Sequence, residues 1–352
     1  MMGKVLKQLA QDMAEAENLR AERSREREVS KLKTQLAASN QKLKQAEADL
    51  EHAEQRVDFI RALDEPTPAR FDFKPFKPAG NATAILVLSD WHVEETVDPE
   101  TINGANEFNL EIAAKRIEAV FQNAVKLIEA ARSLSNIKDM VVALLGDFIT
   151  GYIHEELVES NSLSPVEASL FAQDHICGGL DFLLKHAGMK SITVPTCYGN
   201  HGRTTTKMRA ATAAQNSYEW LMYKQLERYY RGRPSMRWKV ERGHKNYLDV
   251  QGHLVRFTHG DAFRYNQGIL GPLAPIRRKI AAWDKGKRAD MDIAGHLHTH
   301  MTDSKAVINA SLIGPAPFGD LIDGDLAPPA QTLVVYDKAI KPPVLVQQVF
   351  CD

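Results

Sequence analysis

The sequence predicts a large α/β domain that follows an N-terminal coiled-coil helix. Three observations support this: five short apolar runs end in polar groups, a helical pattern connects the first two runs, and the first sixty or so residues are polar with heptad spacing. A chain of 352 residues, 44% hydrophobic and 25% charged, is long enough for one such domain and an appendage.

Residues 1–63 are predicted to form a coiled-coil arm. From Lys4 to Leu63 the chain is rich in Ala, Glu, Lys, Arg and Gln and has neither Gly nor Pro. A heptad repeat fits the second half of this stretch. Its first seam position holds Val29, Leu36, Leu43, Leu50 and Val57, and its other seam position holds Leu32, Ser39, Ala46, Ala53 and Ile60. We expect self-association or a protein partner here. The alternative is a solvated helix packed on its own domain, but so polar a helix buries little by itself.

Residues 64–83 are rich in proline and predict an extended linker, because proline blocks a helix on both sides. Its three phenylalanines, Phe71, Phe73 and Phe76, alternate with polar residues and are compatible with an edge strand. The predicted α/β domain then covers residues 84–352.

Each apolar run in that domain ends in side chains that bind metal or phosphate. The runs are 84–92, 140–147, 191–201, 254–259 and 292–298. Residues 109–131 have apolar side chains on one face and predict the helix that connects the first two strands. In a sheet built from βαβ units the carboxyl ends of the strands meet at one edge, so these endings predict one site.

The side chains at these endings are carboxylates, an amide and imidazoles. This mixture suits Mn, Fe or Zn better than Mg or Ca, which prefer oxygen ligands alone. None of the three cysteines, Cys177, Cys197 and Cys351, ends a run, and their unpatterned spacing fits a reducing compartment.

The ordered endings resemble the signature blocks of the calcineurin-like metallophosphoesterases. They are Asp90 and His92; Gly146 and Asp147; Gly199, Asn200 and His201; His259; and Gly295, His296 and His298. The resemblance covers residues 84 to about 314 and implies a two-sheet sandwich flanked by helices. We expect 306–313, 332–336 and 344–350 to be strands that complete the second sheet.

The resemblance also implies a role for each residue in a site that holds two divalent metal ions, with Mn favoured and Fe or Zn as alternatives. Asp147 would bridge them. Asp90, His92 and His298 would complete one site, and Asn200, His259 and His296 the other. His201 would contact the phosphate and donate a proton to the leaving oxygen. Many relatives have an acidic residue where this chain has Gly202 and a second histidine where it has Asp261, so an orienting carboxylate for His201 would come from elsewhere or be absent.

Residues 203–288 carry a strong positive charge that the balanced total hides. They hold 19 Lys and Arg and 6 Asp and Glu, a net charge of +13, with aromatic residues interleaved. Basic surfaces with stacking rings are typical of nucleic-acid binding; solvated helix faces and core aromatics are the plainer interpretation. Arg203 and Lys207 from this segment, with His154 from the rim, are the predicted substrate contacts.

These features predict a metal-dependent phosphodiester hydrolase, with a nuclease acting on DNA favoured. The run from Gly146 to Leu157, together with the opening from Ser89 to Glu95, also resembles phosphoesterases of tailed bacteriophages. As a nuclease, the protein would resemble the DNA-repair exonuclease branch. Two alternatives are a phosphomonoesterase or phosphodiesterase for small molecules and a coiled-coil adaptor with a weakly active phosphoesterase fold. No membrane span or signal-peptide core is present in the sequence, so we expect a cytoplasmic protein, in the bacterial host if phage-encoded.

Overall fold

The structure is a computed structural model that describes residues 2–62, 72, 80–263, 271–317, 319, 327–338 and 343–352. The chain divides into two compact units, Met1–Lys74 and Pro75–Asp352. Most of the predicted linker, including its three phenylalanines, lies outside the described residues. None of the described helices contains an apolar stretch long enough to cross a membrane.

The first unit contains one long helix, α1 (Met2–Ala62). Every side chain from residue 2 to residue 60 is exposed, including the apolar residues of the heptad seam. The predicted N-terminal helix is therefore confirmed, and its apolar seam has no partner among the residues of this unit that the structure describes.

Among its described residues, the second unit has five further α-helices and eleven strands with defined bounds. The helices are α2 (Leu110–Ala131), α3 (Glu155–Ser160), α4 (Pro165–His186), α5 (Tyr218–Tyr229) and α6 (Leu273–Asp284). The strands are β1 (Asn81–Leu88), β2 (Asn136–Leu144), β3 (Ser191–Thr196), β4 (Met236–Val240), β5 (Lys245–Val250), β6 (His253–Thr258), β7 (Met291–Ala294), β8 (Met301–Thr302), β9 (Ala306–Ile308), β10 (Ala330–Asp337) and β11 (Leu345–Phe350). The helix predicted from residue 109 is α2, whose first turn is capped by the Asn109 side chain.

The strands form two mixed sheets. The first has the order β11-β10-β1-β2-β3-β4, with β1 to β4 parallel and β10 antiparallel to β1. The second has the order β5-β6-β7-β9-β8, with β6, β7 and β9 parallel. The prediction that the last two strands complete the second sheet was wrong: β10 and β11 extend the first sheet, because β10 pairs along the free edge of β1.

Apolar side chains fill three layers between these elements. One layer lies between the first sheet and helices α2, α4 and α5, a second contains residues of both sheets, such as Val87 and Phe257, and a third joins the second sheet to α6 through Ile280. The predicted two-sheet sandwich flanked by helices is confirmed.

Candidate metal centre

The eight predicted metal-ligand and catalytic side chains lie where parallel strands end. Asp90 and His92 follow β1, Asp147 follows β2, Asn200 and His201 follow β3, His259 follows β6, and His296 and His298 follow β7. The sequence argument placed them at the edge of one sheet, but β6 and β7 belong to the second sheet. The site is therefore assembled from both sheets of the sandwich.

Their ligand atoms form three overlapping groups, and within each group these atoms lie within 4.8 Å of one another. The groups are Asp90, His92 and His298; His92, Asp147 and His201; and Asp147, His259 and His296. Because Asp147 and His92 each belong to two groups, the three form one continuous centre.

The Asp147 carboxylate lies at the middle of this centre. Its Oδ2 is 2.9 Å from Nε2 of His259, and its Oδ1 accepts a hydrogen bond from the backbone N–H of His201 at 2.8 Å. Oδ1 of Asn200 lies 3.1 Å from the same Nε2 of His259. At the other end, Oδ1 of Asp90 is 3.5 Å from Nε2 of His298. The structure thus brings together both ligand sets that the resemblance implied.

Hydrogen bonds to the outer ring nitrogens turn the Nε2 atoms toward the centre. Nδ1 of His259 donates to the carbonyl oxygen of Leu145 at 2.7 Å, and Nδ1 of His92 is 3.0 Å from Oγ1 of Thr150. Ligand histidines are commonly fixed in this way. Nε2 of His92 is buried and has no hydrogen-bond partner among the described residues, as expected of an atom that coordinates a metal.

The backbone at these positions is unusual. Asp90, His92, Asp147, His296 and His298 all have positive φ angles, between 49° and 70°. Residues other than glycine rarely adopt this left-handed conformation, and it costs roughly 1–3 kcal/mol at each position. Its recurrence at five ligand positions places the strain at the centre, where it turns consecutive side chains toward one point.

Glycines allow the loops around the centre to approach closely. A Cβ atom on Gly146 would lie 2.2 Å from the backbone nitrogen of Gly199, and one on Gly199 would lie 2.0 Å from Oδ1 of Asp147. A Cβ on Gly295 would meet Oδ2 of Asp90 at 2.4 Å. The glycines of the signature blocks are therefore required by space next to the two aspartates.

The electrostatics keep some imidazoles of the centre neutral and draw positive charge to others beside the carboxylates. Burial lowers the pKa of His92 well below its usual value, and burial with the charge of His259 lowers that of His296 to about 4. Burial also disfavours charge on His259, but the charge of Asp147 and its hydrogen bond raise the pKa of His259 well above normal. Buried carboxylates that attract a proton in this way also suit a divalent cation.

Two buried glutamates support the loops and were missed from the sequence. Glu219 on α5 accepts the backbone N–H of Phe148 at 2.7 Å and that of Gly199 at 2.6 Å. Glu94 accepts the N–H groups of Thr150 and Gly151, both at 2.8 Å. Burial raises the pKa of Glu219 to about 8, with a further contribution from Asp147, and burial raises that of Glu94 to about 7.

His201 is oriented by backbone rather than by an acid. Its Nδ1 donates to the carbonyl oxygen of Thr150 at 2.9 Å, and its ring centroid lies 4.7 Å from that of His92. Burial lowers the pKa of His201. A Cβ on Gly202, where many relatives have an acidic residue, would lie 2.7 Å from Cγ of Glu219. The Glu219 side chain occupies that space.

The three predicted substrate contacts differ in their surroundings. The guanidinium of Arg203 donates to the carbonyl oxygens of Asn200, Thr205 and Thr206, so it holds its own loop. The exposed His154 ring lies 6.4 Å from that of His201, at the rim of the centre. Lys207 is exposed.

A cluster of cations and aromatic rings, called here the Trp283 cluster, contacts the turn that follows the ligand His259. Nζ of Lys245 and Nζ of Lys279 are 4.9 Å and 5.7 Å from the Trp283 ring centroid, and the Arg256 guanidinium is 5.2 Å from it. Phe263, in the turn that follows His259, packs on the same ring at 5.3 Å. Asp284 and Asp292 pair with Arg256, but no described carboxylate lies within ion-pair distance of Lys245 or Lys279.

Some other basic side chains of residues 203–288 do form ion pairs with carboxylates. Arg233 pairs with Asp181, and Arg277 pairs with Asp303. Tyr223 and Tyr230 are buried, so these two aromatics belong to the core.

Two sheets packed face to face, with this ligand set at the ends of their parallel strands, are the arrangement that the resemblance to the calcineurin-like metallophosphoesterases implied. No family model matches the sequence, and no curated protein matches it. Among solved structures, Vps29 from Chaetomium thermophilum is 12% identical, with a TM-score of 0.31, over 76% of this chain and 96% of its own. A predicted phosphoesterase from Streptococcus pneumoniae is 12% identical, with a TM-score of 0.29, over 76% and 97%. A hypothetical protein from Pyrococcus horikoshii is 12% identical, with a TM-score of 0.35, over 77% and 89%.

Proposed function

We propose that this protein is a two-metal phosphodiester hydrolase that cleaves nucleic acid, with DNA as the favoured substrate. The observation that carries the proposal is the Asp147 carboxylate, which belongs to two ligand groups at once, beside the buried and unpartnered Nε2 of His92. One carboxylate shared by two imidazole-containing groups is the arrangement that a two-metal site requires.

The ligand chemistry supports Mn, Fe or Zn, because imidazole and carboxylate ligands are mixed. Asp90, His92 and His298 would hold one ion with Asp147, and Asn200, His259 and His296 would hold the other. Two such ions, when bound, lower the pKa of water and stabilise charge on both the attacking and the leaving oxygen at phosphorus.

The protein's own residues would orient the metal ligands and supply a proton. Thr150 and Leu145 fix the rings of His92, His201 and His259 through Nδ1, so that Nε2 of each stays directed at the centre. In this proposal His201 would contact a phosphate oxygen and, once protonated at Nε2, would donate a proton to the leaving oxygen. Glu219 holds the backbone next to two ligands by accepting the N–H of Phe148, which follows Asp147, and that of Gly199, which precedes Asn200.

The Trp283 cluster supports nucleic acid as the substrate. Lys245 and Lys279 carry positive charge without a carboxylate partner among the described residues, and burial together with the charges of Arg256 and Lys279 lowers the pKa of Lys245. Crowded cations of this kind are stabilised by a polyanion. The cluster is joined to the turn that follows the ligand His259, because Phe263 in that turn packs on Trp283 at 5.3 Å.

The test is incubation of the purified protein with end-labelled single- and double-stranded DNA, with Mn or with chelator, beside Asp90→Ala and a chromogenic phosphodiester. We expect Mn-dependent DNA cleavage that Asp90→Ala abolishes. Turnover of the small diester without DNA cleavage would assign the protein to small-molecule phosphodiesterases. No activity on either substrate would contradict the enzyme proposal and favour an adaptor.

A further inference from the structure

The apolar seam of α1 is exposed along the helix. Its large residues lie at the first heptad position (Val29, Leu36, Leu43, Leu50, Val57), and three of the five residues at the other position are small (Ser39, Ala46, Ala53). Leu36, Leu43 and Leu50 are 62%, 57% and 60% exposed. A partner helix is needed to bury this seam.

We infer that α1 pairs with α1 of a second copy of this chain in antiparallel orientation, centred between residues 44 and 45. In an antiparallel pair the first seam position faces the other seam position of the partner. This register places Leu43 against Ala46 of the partner subunit, and Leu36 against Ala53 of the partner subunit. Leu50 then faces Ser39 of the partner subunit, so each middle layer holds one large and one small residue.

The ends of the seam fit the same register. Val29 faces Ile60 of the partner subunit, and Val57 faces Leu32 of the partner subunit, so all ten seam residues are paired and none is left over. Layers with matched volumes allow the helices to stay at an even distance. A parallel pair would instead alternate leucine layers with layers of only Ser39, Ala46 or Ala53, which leaves gaps next to the wide layers.

The charges that flank the seam favour the same arrangement. In the antiparallel register Lys42 lies beside Asp49 of the partner subunit, and Lys33 lies beside Glu54 of the partner subunit. Sliding the pair by one heptad brings Lys42 against Lys42 of the partner subunit in one direction, and Asp49 against Asp49 of the partner subunit in the other. A parallel pair would also join opposite charges, Lys42 with Glu47 of the partner subunit and Glu28 with Lys33 of the partner subunit, but it places Asp49 beside Glu54 of the partner subunit. The antiparallel register keeps two attractive pairs without this repulsion. Like charges at these positions select against a register.

The orientation determines where the chains leave the coiled coil. At about 1.5 Å per residue, the carboxyl ends of two antiparallel α1 helices lie roughly 50 Å apart, whereas those of a parallel pair lie side by side. The segments that follow α1 therefore leave from opposite ends of the dimer. This inference is independent of the proposed reaction.

The experiment measures distances between spin labels in the full-length protein, after light scattering has given its mass in solution. Labels are attached at Ser30→Cys or at Lys44→Cys, both exposed on α1, with Cys177→Ser as background because Cys197 and Cys351 are buried. The antiparallel dimer predicts about 45 Å between labels at position 30 and under about 25 Å at position 44.

Lys44→Cys is the matched control, because position 44 lies next to the midpoint of the proposed helix pair. The two labels at this position are therefore close together in either orientation. A mass of twice 39.3 kDa with the long and the short distance supports the inference. Short distances at both positions would establish a parallel pair and overturn it, as would a monomer at the concentrations used for the distance measurement.

Discussion

Substitution of Gly199 by alanine tests whether the loops around Asp147 are as tightly fitted as the structure indicates. The new Cβ would lie 2.0 Å from Oδ1, 2.7 Å from Cγ and 2.4 Å from the backbone nitrogen of Asp147. An ordinary contact is about 3.5 Å, so the Asp147 carboxylate or its backbone has to move by more than about 1 Å. Overpacking of this kind costs roughly 1–3 kcal/mol of stability.

The larger effect is expected on function, because Asp147 belongs to both ligand sets. Misplacement by about 1 Å reduces turnover by about 100-fold, and we expect Mn content to fall with it. The assay combines metal analysis of the Mn-loaded protein with hydrolysis of a chromogenic phosphodiester and a thermal melt. Gly178→Ala is the matched control, since its Cβ meets nothing within 4 Å and alanine stabilises a helix interior by about 0.5–1 kcal/mol. Wild-type metal content and turnover in Gly199→Ala would refute the reasoning.

Three further predictions follow from individual residues. His201→Ala should retain both metals and lose about 100-fold or more in turnover; loss of metal would make His201 a ligand, and full activity would remove its role as acid. In metal-free protein, Glu219 keeps its proton up to about pH 8 when folded but only to about 4.5 when unfolded, so folding binds a proton in that window and stability falls as pH rises. In thermal melts between pH 5 and 8, Glu219→Gln should lose this pH-dependent part of the free energy of unfolding, which is on the order of 5 kcal/mol at most. Parallel pH profiles of stability in the wild type and the variant would contradict the prediction. Lys245→Ala with Lys279→Ala should reduce the slope of log affinity for single-stranded DNA against log salt by about 1.5, with Lys126→Ala as control; an unchanged slope would remove the Trp283 cluster from the binding surface.

The ligand side chains were predictable from the sequence because each lies within a few residues of the end of a strand. Asp90, Asp147 and His259 all end an apolar run, and the order of such endings is a local property of the chain. The same is true of α2, whose apolar face repeats at helical spacing. The long helix α1 was predictable because nothing in residues 4–62 breaks a helix.

The parts that could not be predicted depend on contacts between distant residues. The pairing of β10 with β1 joins residues about 250 positions apart, and no local pattern specifies which sheet a late strand joins. Glu219 is one acidic residue in a helix, and only the packing of α5 places its carboxylate against two backbone N–H groups. The orientation of His201 by the carbonyl oxygen of Thr150 carries no side-chain signature at all.

Metal stoichiometry in the wild type and in Asp147→Ala tests the central claim most directly. The purified proteins are stripped with chelator, loaded with Mn, freed of excess metal and analysed for bound metal per chain, with circular dichroism to verify folding. The proposed centre predicts two Mn per wild-type chain, and loss of both together with all phosphodiesterase activity in a folded Asp147→Ala protein. One metal or none in the wild type, or normal metal content in the variant, would contradict it.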